Sequence, residues 1–393
     1  MISIQDARSR ILAALTPTSA EIIPLAHAAG RVTATAITAR LTHPPHDVSA
    51  MDGYALRHAD GETLHIIGEA PAGHPWPGTI APGQAIRLFT GSVIPSGADC
   101  VVIQENVTRT ENHITLSGPR KPGQNIRPAG QDFTAGQTLL PASHRLTARD
   151  IGLIAAANHP WVSVHRRPRV AILATGDEIA LPGDPIPDGG IVSSNAHALA
   201  ALITQSGGDP SILPIAPDTH HAIAEAGRAA AGFDLLLTTG GASVGDHDLV
   251  ASGLQQAGLT LDFWTIAMRP GKPLMHGHLG PLPLIGLPGN PVSALVCALL
   301  FALPALDRLQ GLPGHPPTPR KATLASALQA NDHRADHLRA TLTPTDTLPL
   351  ATPASRQDSG QLRTLAWADA LILRPPHAPR AEIGDVVDVI LLR

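Results

Sequence analysis

The chain is short of several things, and each shortage excludes something. Two cysteines, Cys100 and Cys297, are all there are in 393 residues, and neither sits in a metal-ligand spacing. A disulfide framework and a cysteine-built metal knuckle are therefore excluded. Charged residues are only 15% of the chain and the formal net charge is −4, which leaves no basic footprint for nucleic acid or an anionic membrane surface. Lysine is scarcest: Lys121, Lys272 and Lys321 are the only three, so a lysine inside a motif stands out. Long hydrophobic runs are missing too. The longest uncharged region, 273–306, is broken by glycine and proline. Its continuous apolar part, 292–303, is too short to span a bilayer and predicts a buried helix. The first fifteen residues are charged and amphipathic rather than signal-like. The expectation is a soluble cytoplasmic protein with no nucleic-acid or membrane partner.

What is present is a change of texture along the chain. A length of 393 residues predicts roughly two to four domains. Ser3 caps an amphipathic helix running to about Leu15, with Ile4, Ala7, Ile11 and Leu12 at helical spacing. A second apolar-periodic stretch fills 21–40, and Pro44-Pro45 then forbids regular structure. From about 60 to 132, short apolar runs alternate with Gly/Pro turns, the pattern of a small all-β domain. Helical patterning returns at 147–158 and can rejoin the first helix in a discontinuous domain. From 169 to about 309 the alternation is that of a parallel α/β sheet. Strands are predicted at 170–174, 212–215, 235–238, 261–266 and 284–287, and helices at Asn195–Gln205, 220–231, 249–257 and 291–303. A Gly/Pro linker at 311–317 leads to short β runs that read as a small barrel or sandwich.

The most informative stretch is 238–248, Thr-Thr-Gly-Gly-Ala-Ser-Val-Gly-Asp-His-Asp, between a predicted strand and a predicted helix. Gly240, Gly241 and Gly245 let the backbone approach a ligand, Ser243 adds a hydroxyl, and the free N–H groups at a helix start favour an anion. Asp246 and Asp248 repel a bare phosphate, so a divalent cation between carboxylates and phosphate is the natural inference. A tight turn that needs glycine reads the same way at any single position. The stretch is neither a Walker A loop nor G-x-G-x-x-G, because position 242 is alanine.

Other motifs carry chemistry beside a plainer reading. Ser49-Ala50-Met51-Asp52-Gly53-Tyr54-Ala55 places a carboxylate in an Asp-Gly turn and holds the only tyrosine. Thr175-Gly176-Asp177-Glu178 puts two carboxylates at a strand's carboxyl end, where sheet ligands bind, or simply caps a turn. Met268-Arg269-Pro270-Gly271-Lys272-Pro273 sets two cations on a proline-stiffened loop, an anion clamp or solvated surface charge. In Leu287-Pro288-Gly289-Asn290-Pro291-Val292-Ser293, Asn290 suits an N-cap, Pro291 the first helical position, and Ser293 the first turn. Thr90-Gly91-Ser92-Val93-Ile94-Pro95 and 125–132, ending at Asp132, read first as β-domain turns.

In order and spacing, these motifs resemble the molybdopterin molybdenumtransferase family, which includes the gephyrin E domain. The resemblance covers essentially the whole chain. It implies a multidomain α/β plus β fold. The parts are a discontinuous elongated N-terminal domain (1–41 and 133–166), an inserted β domain (42–132), a parallel-sheet α/β molybdopterin-binding domain (167–316) and a C-terminal β barrel (317–393). It also implies a homodimer with an inter-subunit active site. The implied reaction is Mg-dependent insertion of molybdate into adenylylated molybdopterin with release of AMP. A molybdopterin adenylyltransferase would be the substrate donor, and molybdoenzyme maturation partners would follow.

The resemblance carries over Asp52, Asp132, Glu178, Asp218 and Lys272 as catalytic residues. It assigns substrate binding to Thr90, Thr175, Gly176, Asn195, Gly240, Gly241, Ser243, Gly245, Arg269, Pro288, Asn290, Pro291 and Ser293. Asp248 and Glu178 are the magnesium contacts. There are departures: the family often has lysine where Thr265 and Arg269 stand here. Ser359-Gly360-Gln361-Leu362-Arg363-Thr364 resembles the family's Ser-Gly-x-Leu-x-Ser stretch, and Arg363 of this chain is the expected compensation for the missing charge. Two other readings compete: a nucleotide pyrophosphate hydrolase on a similar α/β domain, and a non-catalytic pterin-binding scaffold.

Overall fold

In the computed structural model, which describes residues 1–240 and 249–392, side-chain alternation decides how each central strand is buried. Along Arg169–Ala174, Val170 and Ile172 face one core, while Ala171 and Leu173 face another. Leu235 and Leu237 against Leu236 repeat the division in Leu235–Thr239, as do Ile285 and Leu287 against Leu284 in Leu282–Leu287. Strands buried on both faces need helices on both faces. Asn195–Gln205, Ile4–Ala13 and the helix beginning at Pro291 cover one side, and His220–Ala229 with Leu249–Gln256 cover the other. Ser3 caps Ile4–Ala13 as expected, its Oγ accepting from Asp6 N–H at 3.0 Å.

The sheet has six strands in the order Asp209–Ile212, Arg169–Ala174, Leu235–Thr239, Leu282–Leu287, Pro273–Leu279, Leu259–Thr265. The first four are parallel, so their carboxyl ends share one edge. The last two pairings differ from those of a purely parallel sheet. Pro273–Leu279 runs antiparallel to Leu282–Leu287, and Leu259–Thr265 pairs antiparallel with it in turn, so only Pro273–Leu279 opposes the direction of the others. The strand predicted at 212–215 lies earlier, at Asp209–Ile212.

The closing helix is longer than expected. It runs through Pro291–Cys297, a π turn at Ala298–Ala302, and Leu303–Leu309. Pro304 has no N–H to give to Leu300, and the π turn lies in the turn before it. By length and composition this 19-residue helix could cross a membrane, but 72% of its apolar window is buried, as befits a core helix.

The C-terminal strands close on themselves. Ala335–Thr343, Leu350–Pro353, Arg320–Leu324, Val386–Leu391 and Ala370–Arg374 form a five-stranded barrel, the last pairing back with the first. Its interior is filled by small residues, among them Ala322, Ala340, Ala351 and Ala370. The two-residue strand Met268–Arg269 adds to this barrel beside Ala335–Thr343.

The chain divides into two compact units. The α/β sheet and barrel belong to the first, Met1–Glu21 with Gly30–Ala34 and Val164–Arg393. The second, Ile22–Ala29 with Thr35–Ser163, holds a six-stranded sheet in the order Cys100–Ile103, Gly53–Leu56, Gln84–Leu88, Thr63–Ala70, His113–Leu116, Val107–Thr110. It also holds the helix Ala148–Ala156, opened by a Thr147–Asp150 capping box. The apolar-periodic stretch 21–40 forms no α-helix: its elements are Ala20–Pro24, a 3-10 turn at Leu25–His27, and Ile37–Thr38.

Candidate functional site

The parallel strands end around a cavity of about 730 Å³. Ala174, Thr239 with Gly240, and Pro288 with Gly289 come from three strand ends. Asn195, Asn290, Pro291 and Ser293 come from the starts of two helices. Glu178, Ile179, Ile191 and Val192 form one wall, and Gly360 and Leu362 reach in from the C-terminal domain.

Two contacts set this geometry. Asn195 Nδ2 donates to Thr239 Oγ1 at 2.8 Å and to Gly289 O at 2.7 Å, tying two strand ends to one helix start. Gly240 (φ +100°) packs so tightly that a Cβ there would lie 2.8 Å from Thr175 O. Gly289 meets it from the other side, a Cβ there lying 3.4 Å from Gly240 Cα. Beside this turn, Thr175 Oγ1 and Thr238 Oγ1 are buried with no hydrogen-bond partner among the described residues.

Charge is distributed unevenly. Glu178 is the only ionisable side chain lining the cavity among the described residues. Asp177 and Asp218 stand next to it: Asp177 Oδ1 accepts from Asp218 N–H at 3.1 Å. Burial raises the Asp218 carboxyl above its ordinary value; a hydrogen bond from Asp177 opposes this, and the charges of Asp177 and Glu178 add to it. Three acids crowded at a strand end favour an added cation. No group of three His, Cys, Asp or Glu is gathered in metal-holding geometry among the described residues. The expected partner ligand, Asp248, lies outside them, as do Gly241, Ser243 and Gly245.

Several expectations are redirected. Asn290 occupies the N-cap position, but its side chain makes no capping hydrogen bond and lines the cavity instead. One free helix N–H is taken from elsewhere: Val292 donates to Ser359 O at 3.1 Å. The Arg269–Lys272 anion clamp does not form as a pair. Arg269 gives Nε and Nη2 to Asp336 at 2.8 and 2.9 Å, and Asp332 lies 3.8 Å from its Nη1. The two carboxylates offset its charge, and it does not line the cavity. Lys272 is exposed, beside the cavity-lining Pro273, with no ion-pair partner among the described residues.

In the second unit, Asp52 and Thr90 come together. Asp52 Oδ1 accepts from Thr90 N–H at 2.7 Å and from Thr90 Oγ1 at 2.9 Å. These bonds, with the nearby Arg87 charge, hold the carboxyl below its ordinary value. Ser49 N–H donates to Ser92 O at 2.8 Å and Gly91 N–H to Ser49 O at 2.9 Å, so the two predicted turns form one construction. Asp132 lines a separate hollow with His43, His46, Arg127 and Gln131; Asp52 is not part of its lining.

Sequence reasoning missed the apolar wall of Ile179, Ile191 and Val192, which carries no motif. It noticed the Ser359–Thr364 stretch for its arginine, whereas Gly360 and Leu362 are what face the cavity.

Comparison with known proteins first fixes the class. Family models match in three segments: the "MoeA N-terminal region (domain I and II)" over 2–158, the "Probable molybdopterin binding domain" over 171–308, and the "MoeA C-terminal region (domain IV)" over 321–392. Fold and cavity thus define a protein of molybdenum cofactor biosynthesis. A molybdopterin molybdenumtransferase from Nostoc sp. strain PCC 7120 is 38% identical over 369 residues, 90% of this chain and 85% of that protein. Another, from Haemophilus influenzae, is 38% identical over 317 residues, 79% of this chain and 78% of the relative. The crystal structure of a molybdopterin biosynthesis protein from Pyrococcus horikoshii OT3 superposes with a TM-score of 0.85 at 27% identity, covering 100% of both chains. This chain belongs to the molybdopterin molybdenumtransferase family, a family of transferases.

Proposed function

We propose that the chain inserts molybdate into adenylylated molybdopterin in a magnesium-dependent reaction that releases AMP, as a homodimer with its active site between subunits. The observation that carries this reading is the mismatch of charge in the cavity. Helix starts and amides suited to an anion line it, Lys272 neighbours the lining residue Pro273, and Glu178 stands in it beside Asp177 and Asp218, whose mutual repulsion a cation would relieve.

In this reading, Glu178 and Asp248 would hold the magnesium, whose charge would offset that of the pyrophosphate. Gly240 with Gly241, Ser243 and Gly245 cradles the phosphates, and Thr175 and Gly176 shape the floor beneath. Asn195, Asn290 and Ser293 orient the ligand by hydrogen bonds, while Pro288 and Pro291 fix the turn that presents them. Lys272 supplies positive charge, and the Asp218 N–H steadies Asp177 beside Glu178. Asp52, Thr90 and Asp132 complete the site from the second subunit. A four-domain division at 1–41 with 133–166, 42–132, 167–316 and 317–393 accompanies the reading. A molybdopterin adenylyltransferase supplies the substrate, and molybdoenzyme maturation partners receive the product.

The test is equilibrium binding of adenylylated molybdopterin, with and without magnesium, to wild type and Glu178→Gln. Magnesium should tighten binding to wild type and do little for the variant. Equal affinities in all four conditions would remove the metal from the account.

A further inference from the structure

Asp52 lies just before the strand Gly53–Leu56 of the second unit's sheet, two residues from Tyr54. Tyr54 is paired directly across the ladder with Arg87 of the Gln84–Leu88 strand. The Arg87 guanidinium lies 5.1 Å from the Tyr54 ring centre and 5.1 Å from that of Phe89, so two aromatic rings flank it. From there Nη1 donates to Gly53 O at 3.3 Å and Nη2 to Gln104 Oε1 at 2.5 Å. Gln104 N–H donates in turn to Asp52 O at 3.1 Å.

Asp52 is therefore held at three points. Its carbonyl is fixed by Gln104, the following peptide by Arg87, and its carboxylate by Thr90. Position 53 has no room for a side chain, since a Cβ there would lie 2.1 Å from Val102 O. An arginine suits this place better than a lysine. Its planar group can stack on aromatic rings while donating from two separate nitrogens at its edge, a geometry that the compact ammonium does not match.

We propose that Arg87 is a positioning residue for Asp52: by clamping the Gly53 peptide between Tyr54, Phe89 and Gln104, it aims the Asp52 carboxylate without touching substrate. The inference rests on the reading above that places Asp52 in the working site. It adds a residue to which no role has been given.

Because Arg87 acts through Asp52, its effect vanishes when the carboxylate is gone. The experiment compares wild type, Arg87→Met, Arg87→Lys, Asp52→Asn and the Arg87→Met/Asp52→Asn double variant, all as the full chain. Arg87→Met should lower kcat about tenfold, with KM for adenylylated molybdopterin within about twofold. Arg87→Lys should recover little, because charge without the planar fork does not rebuild the clamp. The double variant should be no slower than Asp52→Asn alone. Two readouts do not depend on turnover: in Arg87→Met, the Thr90 amide resonance and the single Tyr54 ring resonance should both move while the melting temperature holds. Additive losses in the double variant, or unmoved resonances, would overturn the clamp. If Asp52→Asn turns over like wild type, the placement of Asp52 has failed. The Thr90 resonance then still decides whether Arg87 holds it.

Discussion

Arg269 and Asp336 join the α/β domain to the C-terminal barrel by two parallel hydrogen bonds, Nε to Oδ1 at 2.8 Å and Nη2 to Oδ2 at 2.9 Å. The same two residues are register partners where Met268–Arg269 adds to the barrel sheet. Backbone and side chains thus fasten one place, and the barrel's Gly360 and Leu362 are walls of the cavity. Asp336 is buried, at 6% exposure, while Arg269 is half-exposed, so breaking the pair leaves a buried group without its partner.

Asp336→Asn should therefore cost about 1–2 kcal/mol of stability, a modest figure because one partner is solvated. Arg269→Lys should cost less than that but more than a surface change, since lysine cannot make the two-point contact. Both variants should also raise KM for adenylylated molybdopterin as the cavity wall loosens. Urea unfolding measures the first effect, and a midpoint identical to wild type would show that the pair is ornamental.

Gly240→Ala tests the turn at the centre of the cavity. Its backbone has φ +100° and an added Cβ would lie 2.8 Å from Thr175 O, so both conformation and space oppose a side chain. A loss of about 1–3 kcal/mol is expected, together with loss of pterin binding. Binding retained at wild-type affinity would mean that the turn does not form the ligand's seat.

Asp218 predicts a pH effect with a definite sign. Its folded-state value is raised, first by burial and then, against an opposing hydrogen bond from Asp177, by the charges of Asp177 and Glu178. The favourable contribution is present below the unfolded carboxyl value and is lost as pH rises through the folded value. Without magnesium, Asp218→Asn should accordingly melt higher than wild type at pH 7 and match it in acid. Added magnesium should close the gap at pH 7. A variant that melts lower than wild type at pH 7 without metal would contradict the repulsion.

Lys272 has no ion-pair partner among the described residues, so its removal should leave the fold alone. Lys272→Met should keep the wild-type melting temperature and raise KM for the anionic substrate about tenfold, roughly the worth of one charge-assisted contact. Its salt dependence should be shallower, because one screened charge is gone. An unchanged KM would move the anion contact elsewhere.

Much of the α/β domain was legible because its strands are apolar on both faces and its helices begin with recognisable punctuation. The hairpin partner Pro273–Leu279 was not. Pro273 and Gly277 look like loop residues, yet Gly277 is what lets that strand press against Leu259–Thr265, a Cβ there lying 2.3 Å from Thr260 O. Arg269 and Lys272 looked like a pair because they are three residues apart. Strand pairing with the barrel turned one of them to Asp336, 67 residues away. Local spacing carries no record of such a partner. Asp52 and Thr90, 38 residues apart, meet because adjacent strands of one sheet bring their turns together.

The central claim is that this chain couples molybdate insertion to cleavage of the adenylylated pterin. The most direct measurement is AMP release from adenylylated molybdopterin and magnesium by the purified protein, with molybdate present or omitted. The account predicts AMP release that depends on molybdate and falls sharply in Asp52→Ala and Glu178→Gln. AMP released at the same rate without molybdate would instead mark a pyrophosphate hydrolase, and no release under either condition would leave only a binding protein.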